Sequence, residues 1–373
     1  MTFVPFRAEA ERWRKGFVND KRESNLEMLR LFSALLIIMY HYTATITFED
    51  SSIVANRLTY CLLGLWGGLG VDLFIMISAW FLSKENVKFS VSKIWDLSKI
   101  VILYSLIWYV GLVFHGDVGI SLKWILKMVL SPFIGTYWFV TAFIIFYMLC
   151  PLLNFFVIKM SNNQLKKTTI ILTVAVCVYH TVFGGETALM GVISTFAYLF
   201  VLMTYLRRTP NNRIERHCGA IALSSYIVLV CMYYYLSKSG RGGVAERFVD
   251  RSSIILILLA TAVFYMFKKM KFRNGFVNFL AGSVFSIYIL HQFWWGWHYI
   301  WEVAGVVSAY KNNAFPLHMI VTSFVIFTIC ASIDFVRRGI NKCIRKTALS
   351  RKVYGLMEKI DKEINLQGDN CEG

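Results

Sequence analysis

The sequence predicts an all-α, polytopic membrane protein with about ten transmembrane helices and both termini in the cytoplasm. Three observations carry that reading. Of 373 residues 57% are hydrophobic and only 16% charged, against about 25% charged in a soluble domain, and the mean hydropathy is +0.55. Apolar runs of membrane-spanning length recur along the chain without the polar face that a soluble amphipathic helix needs. Lys and Arg also alternate from loop to loop. The N-terminal segment, the even-numbered loops and the C-terminal segment hold 29 of them, the odd-numbered loops 8. The positive-inside rule assigns the rich side to the cytoplasm. The formal net charge of +17 follows from the same rule, so it calls for no nucleic-acid partner.

Residues 1–24 are mixed in charge and read as a cytoplasmic lead-in. The apolar run that follows is too long and too unmarked for a cleavable signal peptide. The runs then fall at 29–46, 61–82, 98–114, 137–158, 168–183, 188–206, 221–236, 253–267, 276–297 and 319–336. They form a single membrane domain over 25–336, since no segment outside them is long enough for a soluble core. The tail 337–373 is basic, and anionic lipid is its simplest partner. There is no repeat, P-loop, G-x-G-x-x-G, H-E-x-x-H or histidine/cysteine spacing of a metal site, so no metal is expected. Six of the eight cysteines lie in or beside apolar runs, and none forms a C-x-x-C pair, which indicates packing.

The first run carries the chemistry. In NLEMLRLFSALLIIMYHY, Arg30 and His41 are eleven residues apart, about 1,100° on a helix, so they share a line along its surface to within roughly 20°. His41 lies about 16 Å further along that line. Glu27, one turn before Arg30, can hold its guanidinium. A histidine at membrane depth is a functional candidate by default; the alternative is a buried histidine hydrogen-bonded to a neighbouring helix. In GGLGVDLFIMISAWF, Gly68, Asp72 and Ala79 fall near one face, and small residues there permit close helix packing. Asp72 must pair or meet water, and an interfacial position near the helix start satisfies that most simply. Tyr137-Trp138-Phe139 opens the fourth run, as an aromatic belt also would. In the ninth run Tyr288 and His291 are one turn apart and could share a polar face. Lys93 and Lys99 flank the third run, where they could meet phosphates or simply obey the positive-inside rule.

Taken together, these motifs resemble the acyltransferase-3 family of bacterial integral-membrane acyltransferases, which modify cell-surface glycans. Glu27-Met28-Leu29-Arg30 followed by His41 is similar to its acid-x-x-Arg opening and Arg-x10-His motif. Gly70-Val71-Asp72-Leu73-Phe74 with Ser78-Ala79-Trp80 resembles the second-helix pattern, with Ala79 where the family generally has Gly. Tyr137-Trp138-Phe139 with Pro151 resembles the fourth-helix pattern, and Ser286-Ile287-Tyr288-Ile289-Leu290-His291 matches the closing Ser-x-Tyr-x-x-His. The third-helix entrance usually carries paired arginines and a proline; here it has Lys93 and Lys99. The hydrolase-like periplasmic domain often fused in the family has no counterpart in this sequence, which implies direct transfer or a separate partner.

The resemblance implies a multi-pass protein of the bacterial inner membrane. It would move an acyl group, acetyl the expected one, from acyl-coenzyme A to a hydroxyl of a surface or exported glycan. A hydroxyl needs a base to attack a thioester near neutral pH, and histidine titrates in the useful range. His41 would be that base or a transient acyl acceptor. Arg30, oriented by Glu27, would meet coenzyme A phosphate together with Lys93 and Lys99. Asp72, Ser78, Tyr137, Trp138, Tyr288 and His291 would line the acceptor site. Membrane lipid, the glycan and other polysaccharide-assembly proteins are the expected partners. A glycan or lipid-linked sugar transporter, or a membrane scaffold, would use the same fold and buried polar groups.

Overall fold

The structure is a computed structural model that describes residues 24–83, 89–184, 189–210, 212–293, 295–344 and 347–369. Among these residues every regular element is helical. The expected lead-in lies outside them except for Ser24. Helix α1 covers Ser24–Thr43; α2, Val54–Thr59, runs through a π-turn at Tyr60–Gly64 toward α3, Gly67–Leu82. Then follow α4 (Val91–His115), α5 (Leu122–Leu130), α6 (Trp138–Lys159), α7 (Asn162–Leu172), a π-turn at Thr173–Val178, α8 (Tyr179–Phe183) and α9 (Leu189–Arg208). The second half comprises α10 (Asn212–Lys238), α11 (Gly242–Val249), α12 (Ile254–Lys269), α13 (Gly275–Ala281), α14 (Val284–His291), α15 (Trp297–Val303), α16 (Val306–Tyr310), α17 (Phe315–Ile344) and α18 (Ala348–Asp369).

Seven helical stretches among the described residues are long and apolar enough to cross a membrane: Val54–Leu82, Val91–His115, Trp138–Lys159, Asn162–Phe183, Arg213–Lys238, Gly242–Lys269 and Phe315–Ile344. Of the other three expected runs, those at 29–46 and 276–297 fall on helices that miss that standard. The run at 29–46 is α1, whose apolar character Glu27, Arg30 and His41 dilute. The run at 188–206 is α9, Leu189–Arg208, which begins outside the residues whose side chains the structure describes. The run at 276–297 is Gly275–His291, short and divided at Gly282-Ser283 between α13 and α14. Helix α5 and the short helices α11, α15 and α16 occupy stretches that the apolar runs left as loops.

Helix α1 is the spine of the bundle and packs against α3, α12, α13, α14 and α17. Its start is tied down by polar contacts. Ser24 Oγ accepts from the Asn274 N–H (2.8 Å), and Asn25 Nδ2 donates to the Lys268 carbonyl (3.2 Å). Its flank is seated on glycines of the second span. A Cβ on Gly70 would lie 2.7 Å from Ile37 and 2.8 Å from the Ser33 carbonyl, and one on Gly67 would lie 2.5 Å from the Tyr40 ring. Two bare backbone positions one turn apart thus let α1 approach closely, as small residues do between membrane helices. Thr43 closes the contact by donating to the Gly64 carbonyl (2.9 Å). The expected small-residue face is displaced. Gly68 faces the backbone of Val249 and Arg251 instead, and the Ala79 methyl is fully buried.

Helix α17 continues to Ile344, and two tail arginines turn inward. Arg337 pairs with buried Asp334 (2.6 Å), which also accepts from Tyr104 Oη (3.0 Å). Arg338 donates to the Phe279 carbonyl (2.7 Å). Helix α18 then returns to the start of α4, where Asp361 accepts from the Val91 N–H (2.6 Å) and Ser90 Oγ (3.0 Å). It thereby satisfies one of the backbone donors a helix start leaves open. This part of the tail docks on protein rather than serving only as a lipid contact.

Candidate active site

His41 sits in the last turn of α1 and His291 at the last residue of α14. The packing of α14 on α1 brings two side chains 250 residues apart into contact. His41 Nδ1 and His291 Nε2 are 2.9 Å apart, with ring centroids at 5.1 Å. His291 is 1% exposed and His41 9%. The remaining nitrogen of His291, Nδ1, lies 2.6 Å from the Ile287 carbonyl. A carbonyl only accepts, so Nδ1 of His291 carries its proton and Nε2 carries the lone pair. That lone pair fixes His41 in turn: its Nδ1 donates, and its Nε2 is the basic nitrogen. One backbone carbonyl, by way of His291, therefore sets the tautomer of His41. The sequence alternative, a histidine bonded to a neighbouring helix, is realised in this contact. The partner is a second imidazole, and His41 also faces a cavity.

The cavity has a volume of about 670 Å³, within the roughly 300–1,000 Å³ usual for small-molecule sites. His41 and Tyr288 line it with Tyr40, Trp138, Glu246 and Arg251. Tyr288 stands beside both imidazoles, with ring centroids 6.5 Å from His41 and 6.2 Å from His291. The Arg251 guanidinium lies over the Trp138 ring at 5.0 Å. Asp250, also on the wall, is 3.1 Å from His180 Nε2 and accepts from the Ser252 N–H (2.8 Å). A group held in this cavity could lose a proton to His41 Nε2.

The other expected site residues divide. Trp138 is on the cavity wall, while Tyr137 is buried behind Tyr288, ring centroids 6.3 Å apart. Ser78 does not line the cavity; its hydroxyl donates to the Phe74 carbonyl one turn back (2.9 Å). Asp72 corrects the sequence reading. It is 0% exposed, and neither carboxylate oxygen has a hydrogen-bond partner among the described residues. It is not an interfacial residue near the start of a span, because that span begins at Val54 and carries position 72 well inside. Arg30 and Glu27 form the expected pair at 2.8 Å in the half of α1 away from the cavity. Lys93 is exposed, and Lys99 is already engaged by Asp96 and by Tyr354 of α18.

Sequence reasoning missed the His41–His291 bond and the Asp250-Arg251 wall. The wall had one legible signal, an acid and a base side by side just before an apolar run. A loop-charge tally absorbs both as flanking charges. The bundle of long apolar helices, with a cavity beside a buried imidazole pair, has the build of a membrane protein. The model of the acyltransferase-3 family, an acyltransferase domain, matches residues 23–337. The chain belongs to that family and is a membrane acyltransferase. No curated protein and no solved structure matches it.

Proposed function

We propose that the protein transfers an acyl group, acetyl in the simplest case, from acyl-coenzyme A to a hydroxyl of a cell-surface or exported glycan. The bundle lies in the bacterial inner membrane as ten spans with both termini cytoplasmic, the arrangement that the loop-charge asymmetry favours. The observation that carries the reading is the His41–His291 bond beside the cavity. His291 Nε2 accepts a hydrogen bond from the His41 Nδ1–H, which leaves the His41 Nε2 lone pair for an acceptor hydroxyl. As that oxygen attacks the thioester carbonyl, its proton passes to Nε2. The C–S bond then breaks, and the proton goes from the imidazolium to the departing thiolate. Base catalysis of this kind contributes about 10²–10⁴-fold. The Glu27–Arg30 pair, a fixed cation toward the other end of α1, suits a donor phosphate.

Purified protein incubated with radiolabelled acetyl-coenzyme A and a glycan acceptor tests this directly. Label should move to the glycan, and His41→Ala should abolish the transfer. A parent protein that consumes no thioester would instead favour transport or a scaffold role.

A further inference from the structure

We infer that the cavity beside His41 selects a sugar unit without an anionic substituent and rejects uronates and sugar phosphates. The inference rests on the reading of this cavity as the acceptor site. Four side chains of the charged types line it besides His41: Glu49, Glu246, Asp250 and Arg251. They come from separate segments. Glu49 lies in the 3-10 turn Phe48–Asp50 after α1, Glu246 on α11, and Asp250 and Arg251 between α11 and α12. Arg251 follows Asp250 in the chain and offsets it, and its guanidinium is spread over the Trp138 ring at 5.0 Å. Glu49 and Glu246 have no ion-pair partner among the described residues. The wall therefore carries an excess of two carboxylates. His41 supplies the independent mark of a ligand site: it is 9% exposed, lines the cavity, and its Nδ1 is held by His291, so Nε2 is the ring nitrogen left for a ligand.

The chemistry of the wall matches a neutral sugar on two counts. Ionised carboxylates only accept hydrogen bonds, and sugar hydroxyls supply the donors. Aromatic side chains, Trp138 and Tyr288 among them, stand on the wall, and such groups suit the apolar side of a pyranose, as aromatic anchors do in ligand pockets. A uronate or phosphate brings acceptors where donors are wanted and adds like charge, which costs specificity steeply at close range. A protonated amino sugar would be accepted, because it adds donors and opposite charge.

The test uses full-length protein in nanodiscs with three probes: methyl glucoside, methyl glucuronide and the methyl glycoside of glucosamine. Acetyl transfer from labelled acetyl-coenzyme A and quenching of tryptophan fluorescence are read in parallel. At low salt the glucoside and glucosaminide should exceed the glucuronide roughly tenfold or more in kcat/KM and in affinity. The preference should shrink at high salt, because Glu49 and Glu246 are exposed and screened. Glu49→Gln/Glu246→Gln should bring the three probes toward parity; the salt titration of the parent keeps the question open to refutation if that variant folds poorly. Equal turnover of glucoside and glucuronide would overturn this selectivity and leave the proposed function standing. Selective binding without any acetyl transfer would uphold the selectivity and sink the proposed function. Absence of binding by every probe, or preference for the glucuronide, would overturn the inference.

Discussion

Replacing His291 should disable His41 without touching it. In the parent, His291 Nε2 accepts a hydrogen bond from His41 Nδ1–H at 2.9 Å, and its Nδ1–H donates one to the Ile287 carbonyl at 2.6 Å. His291→Ala leaves a buried N–H on His41 without its acceptor, while the Ile287 carbonyl keeps its helical bond. An unsatisfied buried donor costs about 1–3 kcal/mol. His41 can relieve that cost by moving its proton to Nε2 or by rotating, and either response removes the basic lone pair from the cavity. A preference of that size, now lost, corresponds to a fall of roughly 5- to 150-fold in turnover. His291→Gln should behave differently. Its amide oxygen can accept from His41 Nδ1 while its NH2 donates toward Ile287, so most activity should return although no ionisable group does. The assay is the initial rate of acetyl transfer, with thermal stability of each variant measured in the same detergent. If Ala works at the parental rate, His291 does not hold the tautomer. If Gln is as inactive as Ala while both are stable, His291 takes part in proton transfer itself, and the positioning argument fails.

His41→Gln keeps an N–H for His291 but cannot take a proton, so it should lose transfer as fully as His41→Ala while its melting temperature stays near the parent's. A stable, active Gln variant would make His41 a packing residue. Arg30→Ala should weaken acyl-coenzyme A binding or turnover, whereas Lys99→Ala should do less, since Asp96 and Tyr354 already occupy its ammonium. The reverse order in a donor titration would show the phosphate contact to be misassigned. Gly70→Leu should destabilise the bundle by about 1–3 kcal/mol, because even its Cβ would lie 2.7–2.8 Å from Ile37 and the Ser33 carbonyl. A thermal melt equal to the parent's would show that α1 is free to shift. Reporter fusions at Arg57 and Glu302 should read as external, and at Arg213 and Gly373 as cytoplasmic; a terminus found outside would refute the ten-span topology.

Much of the bundle is legible in the sequence because a membrane span writes itself locally. Length and hydropathy of one run suffice, and seven of the ten expected runs coincide with helices that meet both. Two of the others show where the local signal weakens. In α1 the residues that make it functional, Glu27, Arg30 and His41, are the ones that lower its hydropathy. In Gly275–His291 the break between α13 and α14 shortens the helix while bringing the Gly282 backbone close to Arg338. The shared line of Arg30 and His41 follows from the 3.6-residue period alone, as does the Glu27–Arg30 pair, and the structure contains both on one unbroken helix.

Legible along the chain is whatever depends on neighbours within a few turns: the helical class, the apolar runs and the polar residues set into them. Tertiary structure alone decided which of those polar residues meet. His41 and His291 are 250 positions apart, and no periodicity relates them; their contact exists because α14 lies against α1. The same holds for Asp72. Its neighbours in sequence suggested a span near its start, but the turn through Tyr60–Gly64 lengthens that span to 29 residues and carries the carboxylate inside. The cavity wall of Glu49, Glu246 and Arg251 gathers charges from separate segments that a linear reading counts as ordinary loop residues. Hydrophobicity acts on each segment separately, whereas a hydrogen bond between two rings requires both helices to be in place.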